Sequence, residues 1–266
     1  RDFNMKNTAL TVQSLHFHRS SRAIFEDLSF TVEKGQFIAL IGPNGTGKST
    51  LLKCLAGIHS ITSGDIQLFN LSLQQLKPLE IAKRITYMPQ TTSIETNFTV
   101  QQVVEMGRKP KKKRFSNWST ADKVAVEQAL ELVGIHHLKD RFVPSLSGGE
   151  RQLVYLAKAI AQETDILLLD EPTSDLDIYY QVVVTNIIHS LISDGKTVIA
   201  AIHDINLATR ICDQCILLRD GKFVDYNPPS DVLNNHNIEE TFQVKSIIYK
   251  EPLTKKKQIV PYEVLP

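Results

Sequence analysis

The sequence predicts an α/β protein, and three stretches carry that expectation. Residues 36–41 (QFIALI) form an apolar run of strand length, followed by GPNGTGKST at 42–50 and by a helical pattern over 48–56 with Leu51, Leu52 and Leu55 apolar. Residues 165–171 (DILLLDE) and 196–202 (KTVIAAI) are two further runs of the kind that makes parallel strands buried on both faces. One ends in Asp170 and Glu171 and the other is followed by His203, so both carboxyl ends are expected to open on a ligand crevice.

The stretch at 42–50 matches G-x-x-x-x-G-K-[ST], with Gly42, Gly47, Lys48 and Ser49 on the fixed positions. Glycines let the backbone turn tightly and bring its N–H groups against phosphate oxygens. A lysine at position 48 can reach the β- and γ-phosphates, and the Ser49 hydroxyl can ligate Mg2+. The start of the helix adds its partial positive charge. Strand, loop and helix together predict nucleotide binding.

Composition narrows the partners. The 266 residues suit one large domain or two small ones, and 42% hydrophobic content suits a globular core. Lys and Arg number 30 and Asp and Glu 29, leaving a net charge of +1 and no global argument for nucleic-acid or membrane binding. Cys54, Cys212 and Cys215 make no disulfide framework, and a reducing compartment is the simpler expectation. Cys212 and Cys215 form C-x-x-C without a second pair to complete a zinc site, so packing is expected of them. No apolar run approaches the roughly 18 residues that span a bilayer, and no signal peptide is visible. A membrane process would need another chain for its membrane part.

Along the chain, 10–15 and 27–32 alternate apolar and polar residues as half-buried strands do, with a polar turn expected over 17–22. That turn holds one aromatic, Phe17, and two readings of it stand open: stacking on an adenine ring, worth about 1–3 kcal/mol, or packing at the sheet edge. Ser63-Gly64 reads as a turn, 65–69 as a strand, 78–84 as a short helix and 85–88 as a strand ending at Pro89-Gln90. Gln90 could face a nucleotide's metal and water, or be an ordinary loop glutamine. Residues 99–108 and 120–135 have helical periodicity, and between them Lys109 to Arg114 form a basic run followed by Phe115 and Trp118. A solvated loop is expected there, with a membrane-proximal surface as the sharper alternative.

LSGGE at 146–150 opens a helix expected over 150–162. Ser147 can cap it, and Gly148 and Gly149 leave its first N–H groups uncovered, a second anion site unless the cap is all there is. Asp170 and Glu171 are expected to alternate faces at a strand end, one holding a Mg2+ shell and the other orienting water. His203 is a candidate γ-phosphate donor or a structural histidine. A helix over 206–211, a strand over 214–218 and a tail from 226 with one amphipathic segment, 232–242, complete the chain.

A P-loop, then LSGGE, then an apolar strand ending in DEP resemble the ATP-binding subunit of an ABC transporter. GTPases and small-molecule kinases share the P-loop but lack LSGGE. The resemblance covers nearly the whole chain. Residues 99–110 (TVQQVVEMGRKP), 203–208 (HDINLA) and 228–244 are similar to the cassettes of bacterial metal-chelate importers, which carry iron–siderophore, haem or cobalamin complexes. The resemblance implies a P-loop NTPase core with a mixed sheet flanked by helices, an antiparallel β subdomain and an inserted helical subdomain. The cassette would span 5–241, with its core at 5–90 and 164–225 and the helical insert at 91–163, and the tail would be 226–266.

The resemblance also assigns roles. Asn44, Gly45, Thr46, Gly47, Lys48, Ser49 and Thr50 would hold the phosphates of ATP, and Phe17 or a neighbour would stand where the family commonly places a tyrosine under adenine. Ser49, Gln90 and Asp170 would serve Mg2+, Glu171 would be the general base and His203 would contact the γ-phosphate. Ser147, Gly148 and Gly149 would bind the γ-phosphate held by a second copy of the chain, with 174–177 crossing the interface. Integral membrane permease subunits and a substrate-binding protein are the implied partners, no nucleic acid is expected, and the implied location is the cytoplasmic face of the inner membrane. An exporter ATPase would share the same catalytic residues. A soluble cassette protein of translation or DNA repair would carry a second cassette or long inserts, which this chain lacks.

Overall fold

The computed structural model describes residues 7–90, 97–112 and 117–265. Strands β1 (Thr8–Arg19) and β2 (Arg22–Glu33) form an antiparallel hairpin, followed by β3 (Phe37–Ile41) and, after the glycine-rich loop, helix α1 (Lys48–Leu55). β4 (Ser63–Leu68) and the short β5 (Leu71–Ser72) extend the hairpin into a four-stranded antiparallel sheet, ordered β2-β1-β4-β5. Helix α2 (Pro78–Ala82), with proline at its first position, leads into β6 (Ile85–Met88).

Three helices follow: α3 (Val100–Glu105), α4 (Thr120–Val133) and α5 (Gly148–Ala161). Each starts with a capping box, Thr99 with Gln102, Ser119 with Asp122 and Ser147 with Glu150, so side chains satisfy two of the N–H groups that the helix start leaves open. Arg108, 4% exposed, ties the three together. Its Nε meets Asp122 Oδ1 at 3.0 Å and its Nη1 donates to the Ala161 carbonyl and to Glu163, both at 2.6 Å.

The remainder comprises β7 (Ile166–Asp170), α6 (Ile178–Ser193), β8 (Thr197–Ala201), α7 (Ile205–Ile211), β9 (Gln214–Arg219), β10 (Lys222–Asn227), α8 (Pro229–Val232), α9 (Asn235–Phe242), β11 (Val244–Lys250) and β12 (Lys257–Val264). The second sheet has the order β10-β9-β3-β8-β7-β6, with only β10 antiparallel to its neighbour. It is the mixed sheet expected from the sequence. Every residue of β3, β7 and β8 is buried, and strand alternation divides them between two cores. Ile38, Leu40, Leu168 and Ile199 pack with α1 and the antiparallel sheet, while Ala39, Ile41, Leu169 and Ala200 pack with the insert helices and α6. Cys54, Cys212 and Cys215 are unbridged and buried in these cores, in agreement with the packing expectation.

Three local expectations change. The polar turn over 17–22 shrinks to Ser20-Ser21, because Phe17 pairs with Phe25 and both rings are buried, which keeps the strands extended to Arg19 and Arg22. Helix α6 has no counterpart in the sequence reading. Its apolar residues lie on every side, Ile178, Tyr179 and Val182 exposed and Val184, Ile187, Ile188 and Leu191 buried, so it lacks the one-sided periodicity that marks an amphipathic helix. The segment from 226 onward is more structured than one amphipathic stretch. Val232, Leu233, Ile238 and Ile259 join the main core, and β11 and β12 form a hairpin. The side chain of Asn206 on α7 bonds the Ile259 backbone both ways, accepting at 2.8 Å and donating at 3.0 Å. Among the described residues no helix is long and apolar enough to cross a membrane.

Candidate functional site: a phosphate-loop cleft

Four neighbouring strands, β3, β8, β7 and β6, end at one edge of the mixed sheet and deliver the candidate residues there. β3 runs into the loop at 42–47. An added Cβ on Gly42 would lie 2.3 Å from the Leu218 carbonyl oxygen. Gly47 caps α1 with φ +97, and a Cβ there would lie 2.7 Å from the Phe25 ring. Only glycine fits both positions.

Lys48 is 5% exposed, and its ammonium donates to the carbonyls of Gly42 (2.7 Å) and Pro43 (3.0 Å). Burial lowers its pKa, and the negative charges of Glu171 and Asp170 oppose that shift. The Ser49 hydroxyl donates to Asp170 Oδ1 at 2.8 Å, joining the loop to the end of β7. The Tyr87 hydroxyl, from β6, donates to Asp170 Oδ2 at 3.0 Å. Both oxygens of this 3%-exposed carboxylate are thus engaged.

Glu171 departs from the expected alternation of strand faces. β7 ends at Asp170, and Glu171 has φ +55, a left-handed conformation costly for a residue with a Cβ. The turn aims its carboxylate across the sheet edge, where Gln90 Nε2 donates to Oε2 and His203 Nε2 meets Oε1. Ser174 Oγ holds the Glu171 carbonyl at 3.0 Å, and Gln152 of α5 donates to the Pro172 carbonyl at 3.1 Å.

The cleft so formed has a volume of about 550 Å3. Asn44, Gly45, Gly47, Lys48, Ser49, Thr50, Gln90, Glu171 and His203 all line it. Asp170 lies behind Ser49, and Thr46 turns its hydroxyl onto the Pro43 carbonyl at 2.9 Å. The structure does not bring Phe17 to the cleft. Its ring is 8% exposed, belongs to the core under the antiparallel sheet and stacks on His59 at 5.6 Å, which is the packing alternative. Arg19 and Ile24, from the tip of the same hairpin, occupy the cleft wall instead. Neither sits in a sequence motif, nor does Tyr87, and only the folded hairpin and β6 reveal them. Ser147, Gly148 and Gly149 lie at the start of α5 and do not line this cleft. The basic run is described only at Lys109–Lys112, where Lys112 lies over the Trp118 ring at 4.0 Å; Lys113, Arg114 and Phe115 fall outside the described residues.

A profile of the ABC transporter family matches residues 25–174, which include the phosphate loop, Gln90, LSGGE, Asp170 and Glu171. The chain belongs to the ABC transporter family. The cobalamin import ATP-binding protein BtuD of Halobacterium salinarum is 36% identical over 253 residues, covering 95% of this chain. The chain spans only 63% of that protein's length. The ferric enterobactin transport ATP-binding protein FepC of Escherichia coli K12 is 37% identical over 239 residues, covering 90% of this chain and 88% of its own. A solved structure described as an inward-facing conformation of a metal-chelate type ABC transporter has 32% identity and a TM-score of 0.84, over 96% of this chain and 98% of that one. The mixed sheet, the antiparallel subdomain and the helical insert are the architecture of an ABC-family P-loop NTPase.

Proposed function

We propose that the chain is the ATP-hydrolysing subunit of an ABC importer that takes up a metal chelate, an iron–siderophore, haem or cobalamin complex. The observation that carries the chemistry is Glu171 held between Gln90 and His203 at the mouth of the phosphate-loop cleft. The cargo class rests on relatives that are named for cobalamin and ferric enterobactin transport.

ATP would lie with its phosphates against the loop N–H groups and the start of α1. Lys48 would leave its own loop carbonyls and turn its ammonium to the β- and γ-phosphates. Glu171 would accept a proton from the attacking water, while Gln90 and His203 fix the direction of its two oxygens. Arg19 adds a positive charge at the hairpin wall. The donor set fits Mg2+: the Ser49 hydroxyl and the Asp170 carboxylate are hard oxygen ligands already in contact at 2.8 Å. The ion would offset charge on the phosphates.

Ser147 and Gly148, both exposed, and the half-buried Gly149 at the head of a 14-residue helix would complete the cleft of a second copy. Permease subunits in the membrane, a substrate-binding protein and a place at the cytoplasmic face of the inner membrane follow from the importer reading. The test is Lys48→Ala, expected to abolish ATP hydrolysis and weaken ATP binding with an unchanged melting curve. Turnover near the parent rate would remove the loop from the mechanism. Co-purification of the permease, with ATPase activity stimulated by a loaded binding protein, identifies the cargo.

A further inference from the structure

A second cationic hollow lies away from the cleft, where the β11–β12 hairpin meets the end of α7. Its volume is about 570 Å3, and Lys250, Lys255, Lys256 and Lys257 line it with Thr209 and Ser230. Its two lining carboxylates, Asp213 and Asp231, leave a formal surplus of two positive charges, four lysines against two aspartates. Each accepts one hydrogen bond from a neutral donor, Asp213 from the Phe37 N–H at 2.8 Å and Asp231 from the Ser230 hydroxyl at 3.1 Å. Glu251, in the hairpin turn, is taken up by the N–H groups of Leu253 and Thr254 and the Thr254 hydroxyl. Among the described residues none of the four lysines has an ion-pair partner; Lys257 donates only to the Ser230 carbonyl, at 2.5 Å. Like charges gathered round one hollow repel each other, so an anion that neutralises them is favoured.

We propose that this hollow is a second anion site that takes a small phosphate-rich molecule and braces α7 when filled. It goes beyond the ATP reading of the first cleft and does not depend on it. Lysine ammonium groups are compact point charges that suit phosphate oxygens from several directions, and four of them match a di- or triphosphate better than a single carboxylate. The hairpin that carries the lysines is clipped to α7 at two places: Asn206 bonds the Ile259 backbone twice, and the Thr209 hydroxyl donates to the Lys257 carbonyl at 2.8 Å. The α7 N-cap is Asp204, directly after His203. An anion that draws the hairpin lysines together therefore tightens the helix whose first turn follows the cleft histidine.

The probe is inorganic tripolyphosphate, titrated calorimetrically into the full chain. Two sites per chain are expected. The double variant Lys255→Glu/Lys256→Glu, which reverses two exposed side chains, is expected to lose one site or weaken it at least tenfold with an unchanged melting curve. Lys48→Ala is expected to lose the other. Hydrogen exchange of the α7 amides is expected to slow on tripolyphosphate binding in the Lys48→Ala protein and not in the charge-reversed one. Equal binding by the parent and the Lys255→Glu/Lys256→Glu protein would overturn the site, and unchanged α7 exchange would overturn the bracing. Lysine-dependent sedimentation with phosphatidylglycerol vesicles, without binding of free tripolyphosphate, would overturn the small-molecule occupant in favour of a lipid headgroup. Failure of the ATP reading would show separately, as a Lys48→Ala protein that keeps both sites.

Discussion

The Tyr87 hydroxyl donates a hydrogen bond to Asp170 Oδ2, opposite the bond that Ser49 makes to Oδ1. Burial raises the phenol pKa, and the neighbouring Asp170 charge raises it further, so Tyr87 stays a donor throughout the physiological range. The pair fixes the plane of the carboxylate in the proposed Mg2+ site. Tyr87→Phe is expected to raise the Mg2+ concentration for half-maximal turnover by roughly tenfold, the lower end for loss of an outer-shell partner. ATP affinity should change little, and the fold should lose about 1 kcal/mol. A Mg2+ titration identical to the parent's would reduce Tyr87 to packing.

Glu171→Gln keeps the shape of the side chain and one acceptor oxygen but removes the base and a negative charge beside the phosphates. ATP should still bind, with turnover slowed by at least ~10²-fold. Size-exclusion chromatography in saturating ATP should then show a dimer, because the lost charge no longer opposes closure. Ser147→Arg should prevent that dimer by filling the partner cleft. Parent-level hydrolysis by Glu171→Gln would end the assignment of Glu171 as base.

Phe17 and Arg19 separate packing from binding on one strand. Phe17→Ala deletes a buried ring stacked on His59 and should cost roughly 3–5 kcal/mol of stability with nucleotide affinity unchanged. Arg19→Ala, at the cleft wall, should do the reverse and weaken ATP binding with little change in melting temperature. Equilibrium dialysis with ATP, paired with thermal melts, reads both outcomes.

The buried Arg108–Asp122 pair makes stability depend on acid. The Ser119 hydroxyl, more than Arg108, holds the Asp122 carboxyl below the usual carboxylate range against the opposing effect of burial. A carboxyl whose pKa is lower folded than unfolded contributes fully above its unfolded value, about 3.9. That contribution fades as pH falls through the depressed folded value. Arg108→Met leaves the Asp122 carboxylate buried with only its Ser119 hydrogen bonds and leaves the Ala161 carbonyl without its donor, and should cost about 3–5 kcal/mol. Arg108→Met/Asp122→Leu should flatten the acid limb of a pH–stability curve but recover only part of the loss, because Asp122 also closes the capping box with Ser119 and Arg108 also bonds the Ala161 carbonyl.

The parts of the site that were legible in the sequence are those where backbone and chemistry demand fixed residue types at fixed spacing. Gly42, Gly47, Lys48 and Ser49 could be placed because a phosphate loop tolerates few substitutes, and β3, β7 and β8 because strands buried on both faces must be apolar throughout. Arg19, Ile24 and Tyr87 were invisible because their roles arise from contacts between distant segments. Phe17 stood open between two readings because an aromatic in a strand serves stacking or packing equally, and the Phe25 pairing that decides it is tertiary. Helix α6 escaped because apolar residues on every side erase its period, and the β11–β12 hairpin because its alternation is diluted by exposed Ile247, Tyr249, Val260 and Tyr262.

The burial of all three native thiols has a practical consequence for watching this protein move. Burial pushes the Cys54 thiol up to about 12, and raises those of Cys212 and Cys215 as well, so almost no thiolate exists near neutral pH. Maleimide dyes should therefore ignore the unaltered chain. A single cysteine introduced at an exposed position of the insert could then carry a fluorophore on an otherwise natural background, and energy transfer between two labelled copies would report whether the proposed dimer closes and opens, turnover by turnover.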